Sequence, residues 1–225
     1  MDYKFLSKTE LFSGTSECET ESMLKCLSTY LKSFSKGDIV FSAGSKTEYL
    51  GIVMKGCVII ENDDVWGNRS ILGKADAGEI FAETYACIPA EPMLINVVAA
   101  SDTDILFVNA SKIIHSCSNS CLHHKVISEN LIKISSHKNL ALSRRILHTS
   151  SKSIRGRLLS YFSEQSIIHK SNTFTVTFNR QQLADYLNVD RSSMCNELSK
   201  MQTEGIINYD KNVFNLTGSK ISFIQ

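Results

Sequence analysis

RQQLADYLNVDRSSMCNELSKMQTEGII, residues 180–207, is the stretch that decides how this chain is read. It divides into two short helices with a tight joint. Asn179 is placed to cap the first, over Arg180–Leu187, whose apolar positions Leu183, Ala184 and Leu187 face one way. Asn188-Val189-Asp190 is the turn, with Val189 locking the two helices together. The second helix is predicted from about Arg191 to Thr203, with Met194, Leu198 and Met201 inward. Arg191, Ser192, Asn196 and Lys200 then face outward, with Ser193 and Cys195 nearby, and Gly205 ends the helix. IINYDKNVFNLTG (206–218) supplies two strands around Asp-Lys-Asn, a wing. A helix of this width fits the DNA major groove. Arginine forks onto guanine O6 and N7, asparagine onto adenine N6 and N7, and Ser, Gln and Lys hold phosphates.

The rest of the chain is consistent with such a partner. Its 225 residues suggest one large or two small domains, and 43 % hydrophobic with 21 % charged residues is ordinary globular composition. No apolar run approaches the ~20 residues that cross a bilayer, so no membrane is expected. MDYKFLSKTELF lacks the pattern of a signal peptide, which makes a cytoplasmic location the expectation. Seven scattered cysteines are then expected as reduced thiols. Residues 150–225 hold nine Lys and Arg against six Asp and Glu, whereas residues 1–149 hold 15 against 17. The C-terminal part is thus mildly basic, which permits a nucleic-acid partner there.

Along the chain, residues 17–32 show helical spacing of Met23, Leu24, Leu27 and Leu31. From Phe34 the period changes. KGDIVFSAG, YLGIVMKGCVIIEN, NRSILGKADAGEIFAE and INVVAASDTDILFVN are short β-branched or alternating runs divided by Gly, Asn and Asp, with a turn at NDDVWGN (62–68). Residues 34–109 therefore read as a compact antiparallel β-barrel or roll. A long helix follows, at about 112–148, with a stripe of Ile127, Leu131 and Ile134 continued less cleanly by Ala141 and Leu142. Such a helix packs on the roll or pairs with its own copy. HTSSKS (148–153) reads as a hinge and N-cap, and IRGRLLSYFSEQ as a further helix, in which Gly156 costs ~1 kcal/mol relative to Ala without evident reason. NTFTVTF (172–178) alternates as a strand.

These segments resemble the Crp/Fnr transcription regulators, a family similar to the cyclic-AMP receptor protein. The likeness lies in NRQQLADYLNVDRSSMCNELSKMQTEGII for the DNA-reading element, KGDIVFSAG, YLGIVMKGCVII and AGEIFAE for the roll, and IRGRLLSYF for the first helix of the DNA domain. The resemblance implies an α+β fold: an N-terminal cyclic-nucleotide-binding-like jelly roll with a long dimerisation helix (1–149), then a winged helix-turn-helix (150–225). It makes Arg191 the main base reader, gives Ser192 and Asn196 the other base-facing positions, and places Gln181, Asp190 and Ser193 near phosphates. Arg180 and Lys200 complete the DNA-contacting set. Glutamate and arginine often stand in the family where Ser192 and Asn196 stand here, so the half-site differs from that of the best-known members.

In cyclic-nucleotide members a glutamate takes the ribose hydroxyl, and an arginine followed by a small hydroxyl residue takes the cyclic phosphate. By the resemblance GEIFAE keeps Glu83 at the ribose position, beside Phe81, but Met93 and Leu94 stand in place of the phosphate-binding pair. A buried phosphate must be paired and hydrogen-bonded. The expectation is no tight binding of cyclic AMP or cyclic GMP, with the pocket either taking an apolar or neutral small-molecule effector or packed shut. Glu83 has a second reading as a structural acceptor.

HSCSNSCLHH (115–124) spaces Cys117, Cys121 and His124 at i, i+4 and i+7, on one face of a helix. The three are candidate ligands for zinc or haem iron, and the thiols a candidate redox pair, against plain packing at the start of the long helix. No resident cofactor is expected. All six histidines fall outside the roll, and no nucleophile elbow, phosphate loop or dinucleotide fingerprint occurs, so catalysis is not expected. The reading is a homodimeric regulator of an inverted-repeat operator on double-stranded DNA, with RNA polymerase as a further candidate partner. Its rivals are a metal, haem or thiol sensor and an adaptor that never touches DNA.

Overall fold

The computed structural model describes residues 1–63, 66, 69–115 and 122–217. The chain divides into two compact units, Met1–His137 and Lys138–Gln225.

The first unit opens with α1 (Tyr3–Leu6) and α2 (Glu17–Cys26). α2 starts on a capping box: the Ser16 amide donates to Glu19 Oε2 (2.7 Å) and the Glu19 amide to Ser16 Oγ. The helix expected over 17–32 stops early. Ser28 turns left-handed at φ 48°, and Tyr30–Phe34 form strand β1 instead. Leu27 stays in the core, but Leu31 is 51 % exposed, paired opposite Leu106. Pairing with a long neighbouring strand overrides the helical spacing that runs from Leu27 to Leu31.

Strands β2 (Ile39–Phe41), β3 (Tyr49–Lys55), β4 (Cys57–Asp63), β5 (Arg69–Asp76), β6 (Ile80–Phe81), β7 (Asn96–Ala99) and β8 (Thr103–Asn109) complete the roll, with the short helix α3 (Glu83–Cys87) after β6. Two four-stranded antiparallel sheets result, in the orders β1-β8-β3-β6 and β2-β7-β4-β5. Strands β3, β6 and β8 of the first sheet are buried on both faces, so they read as nearly unbroken apolar runs, whereas β1 at its edge is exposed from Tyr30 to Ser33. Val53, Ile105 and Phe107 face the roll interior, while Leu50, Ile52, Leu106 and Val108 face a layer of helices. That layer contains α1, α2, α4 (Ala110–Ile114) and part of α5 (Leu122–Thr149).

Of the long helix expected at about 112–148, α5 covers Leu122–Thr149. α4 ends at Ile114, where His115 is extended, and the two helices are separate elements. Ile127, Leu131 and Ile134 are buried as the stripe required, and Asn130 Nδ2 donates to the carbonyls of Leu11 (3.1 Å) and Ser13 (2.8 Å). Ala141 and Leu142 are exposed. Among the described residues no helix is long and apolar enough to cross a membrane.

The second unit takes the end of α5, then α6 (Ile154–His169), β9 (Thr173–Thr175), α7 (Arg180–Leu187), α8 (Arg191–Thr203), β10 (Ile207–Asp210) and β11 (Val213–Leu216). Its sheet runs β10-β11-β9. The core joins Leu158, Phe162, Phe174, Leu183, Leu187, Met194, Leu198, Met201, Ile207 and Phe214. The compact unit that holds these elements starts at Lys138, within α5. Gly156 has its reason here: a Cβ would collide with Ser151, whose turn folds over the start of α6, and Ser153 Oγ caps the helix at the Gly156 amide (3.0 Å).

Candidate DNA-reading surface

Helices α7 and α8 are set by their caps. Asn179 accepts from the Gln182 amide and Gln182 Oε1 from the Asn179 amide, both at 2.9 Å, a reciprocal box. Asn188 ends α7 at φ 53°, a left-handed position that asparagine tolerates. Two residues on, Asp190 Oδ1 accepts from the Ser193 amide (2.7 Å) and Ser192 Oγ (2.8 Å). The Ser193 amide first, then the Ser192 hydroxyl, hold the Asp190 carboxyl down at about 2. Leu183, Ala184, Leu187, Met194, Leu198 and Met201 are all fully buried, and Val189 packs against them from the turn. Gly205 leaves α8 at φ +72°, and β10 and β11 pair from Asp210↔Val213 to Ile207↔Leu216 as the wing.

The face of α8 opposite the core exposes Arg191, Ser192, Ser193, Asn196 and Lys200. The side chains of Arg191 and Asn196 make no hydrogen bond or ion pair with any described residue. The other expected contacts are partly spent inside the unit. Asp190 is the N-cap of α8, where its charge suits the positive end of the helix dipole. Gln181 Nε2 donates to Asp185 Oδ1 (2.8 Å). Arg180 lies under the wing: it donates to the Lys211 carbonyl (2.6 Å), and its guanidinium sits 5.3 Å from the Tyr209 ring centre and 5.0 Å from that of Phe214.

Four side chains that sequence reasoning missed hold this surface in place. Arg155 of α6 donates to Glu197 Oε1 (2.5 Å) and, through both Nη atoms, to Glu204 (2.7 and 2.9 Å), gripping α8 at two points. Those hydrogen bonds, Glu204 first, raise the Arg155 pKa, and the same arginine lowers that of Glu204. Arg157 donates to the carbonyls of Leu187 (3.0 Å) and Asn188 (2.7 Å), the orphan acceptors at the end of α7. Arg145 and His148, from the last turns of α5, bond to α6 and α7 as described below. The hinge expected at His148–Ser153 thus begins on a pinned residue, since His148 is wholly buried. The available signal was a set of cations in segments otherwise read only for apolar spacing, and it names no partner.

In the roll, Phe81 and Met93 are fully buried and Glu83 is buried at the start of α3. Leu94 is 69 % exposed, its carbonyl accepting from Asn62 Nδ2 (2.6 Å) and its amide donating to Tyr85 Oη (3.2 Å). Of the four expected pocket residues, three are thus buried and Leu94 is at the surface. Phe81 stands edge-on to Phe41, which stands edge-on to Phe107, so rings occupy the interior. Cys117 and Cys121 lie outside the described residues, and His124 is buried. Among the described residues no three His, Cys, Asp or Glu side chains gather as a metal site.

Residues 31–120 match the cyclic nucleotide-binding domain family, and residues 156–216 match the Crp-like helix-turn-helix domain family. No curated protein matches the sequence. Among solved structures, the c-di-GMP responsive global regulator CLP of Xanthomonas campestris superposes with a TM-score of 0.54 at 16 % identity, over 91 % of this chain and 100 % of that one. A cyclic nucleotide-binding domain from Methylobacillus flagellatus gives 0.54 at 18 %, over 64 % and 80 %. The sensor domain of the transcriptional regulator DNR from Pseudomonas aeruginosa gives 0.51 at 18 %, over 67 % and 94 %. At these identities the likeness is one of fold.

Proposed function

The chain belongs to the Crp/Fnr family of transcription regulators, and on that premise we propose that it acts as a homodimer reading an inverted-repeat DNA site with α8 of each copy. One observation carries this reading: α8 is two-sided. Met194, Leu198 and Met201 are fully buried, while Arg191 and Asn196 point outward and are engaged by no described residue. Side chains held outward and unspent are free to meet base edges, Arg191 at a guanine and Asn196 at an adenine, with Ser192 as the third reader. Ser193 and Lys200 are placed for phosphates. Asp190 serves the DNA indirectly, by capping the helix that reads it.

The dimer seam is assigned to α5. Ile132, Leu142 and Ile146 are each more than 60 % exposed. Ile132 and Ile146 stand two heptads apart and Leu142 one turn before Ile146, the spacing of a coiled-coil seam. Two-fold pairing along it is self-complementary and gives the operator its inverted symmetry.

The effector is not a cyclic nucleotide. Met93 is sealed in the core and Leu94 offers only its backbone, already bonded, so neither pairs a phosphate. The Xanthomonas regulator is c-di-GMP responsive, and a shared roll does not fix the ligand. Selection of duplexes from a randomised pool, followed by salt titration of the winner, tests the function. A regulator enriches an inverted repeat and loses affinity steeply with salt through counterion release, whereas an adaptor enriches nothing.

A further inference from the structure

The last turns of α5 belong to the C-terminal unit and carry three polar side chains bonded to its other helices. Arg145 Nε donates to the Tyr186 carbonyl (3.3 Å) and Arg145 Nη2 to that of Asp185 (3.2 Å). These carbonyls lie in the final turn of α7, where a helix is short of donors and partially negative, so a guanidinium suits them. The same guanidinium lies 6.0 Å from the Tyr186 ring centre. His148 Nδ1 is 2.9 Å from Tyr186 Oη, and its Nε2 is 3.2 Å from Glu164 Oε2 on α6. Arg144 Nε takes the other oxygen of Glu164 at 3.0 Å. The tautomer with its proton on Nε2 accepts from the Tyr186 hydroxyl at Nδ1, and Nε2 lies beside the Glu164 carboxylate at an angle outside a hydrogen bond. Packing alone would be met by apolar residues at lower desolvation cost. A hydrogen-bonded cluster adds a fixed angle between the elements it joins.

We infer that Arg145 and His148, closing on Tyr186, are positioning residues that fix the angle between α5 and the α7–α8 pair, and with it the separation of the two recognition helices in a dimer. The inference rests on the dimeric DNA-binding reading above. Since α5 carries the proposed seam, a reading helix fastened to its last turns keeps its distance from its twin.

The test uses the full chain and a duplex that the wild-type protein selects from a randomised pool. That inverted repeat, the same repeat with one base pair inserted at its centre, and a single half-site are titrated with wild type, Tyr186→Phe and Arg145→Gln. Tyr186→Phe removes one hydroxyl and keeps the ring, so it decides alone if Arg145→Gln does not fold. Each variant is expected to bind the repeat about threefold to tenfold more weakly, the worth of one hydrogen bond. Half-site affinity is expected to be unchanged, and discrimination against the inserted base pair to shrink. Equal losses on half-site and repeat would be ordinary damage to the reading domain and would overturn the inference. No loss on either would overturn it too. A pool that yields no enriched duplex defeats the DNA-binding reading itself, and the positioning role falls with it.

Discussion

Phe81 lies against Gly51, its cross-strand partner, so closely that a Cβ on residue 51 would fall onto the tip of its ring. The ring has nowhere to go, because Phe41 and the apolar side chains of the roll interior surround it. Gly51→Ala is expected to cost ~1–3 kcal/mol by overpacking, and Phe81→Ala ~3–5 kcal/mol by leaving a cavity. The two changes are expected to be non-additive, since removing the ring makes room for the methyl group. Chemical denaturation of both single variants and the double variant measures this. Simple addition would mean that the ring and residue 51 do not share that space.

The packed interior makes a second prediction. Saturating cyclic AMP or cyclic GMP is expected to leave the thermal midpoint of the full chain unchanged, since a ligand that binds only the folded state raises it. A rise with either nucleotide would show that a phosphate finds a partner other than residues 93 and 94.

Placing a charge on the proposed seam, as Ile146→Lys or Ile132→Lys, is expected to give monomers by sedimentation with little loss of fold stability, because both side chains are already exposed within one copy. A dimer that survives both changes would place the seam elsewhere.

Asp190 and His148 are among the groups that link stability to pH. Asp190 has its carboxyl drawn down to about 2 from an ordinary value of 3.8. Its contribution is present above 3.8 and is lost as pH falls through about 2. Asp190→Asn keeps a capping side chain and is expected to flatten that acid limb. His148 is shifted the other way in chemical sense, toward its neutral form. Burial lowers its pKa from 6.5, against the pull of Glu164 and with the help of Arg144. Tyr161 from α6 and Tyr186 from α7 complete its surroundings, their phenols raised by burial. Below 6.5 the unfolded chain takes up a proton that the folded chain refuses, so stability falls as pH drops. Thermal melts from neutral to mildly acid pH are expected to slope in wild type and to flatten in His148→Gln.

The winged helix-turn-helix was legible because its signals are local. Asn179, Asp190 and Gly205 punctuate the two helices within a few residues of their ends, and both run over the spans their caps predicted, Arg180–Leu187 and Arg191–Thr203. Where punctuation was weak, a partner decided. Leu31 keeps helical spacing with Leu27, yet five residues of β8 claim Tyr30–Phe34 for a sheet. The polar contacts that position the site were hidden for the same reason. His148 meets Tyr186 across 38 positions and Arg155 meets Glu204 across 49, and no spacing rule reaches so far. Arg180, expected near DNA by its place at the start of α7, also sets its guanidinium against Tyr209 and Phe214 of the wing, a contact that no local spacing announces.

The most direct test of the central claim is the affinity of Arg191→Ala for the selected inverted repeat and for its single-base variants, at one fixed salt concentration. A loss of ~1–3 kcal/mol is expected on the selected sequence, with relaxed preference at one base pair of each half-site and other positions read as before. A loss of the same size on every sequence would make Arg191 a phosphate contact. No loss at all would mean that α8 does not read DNA through it.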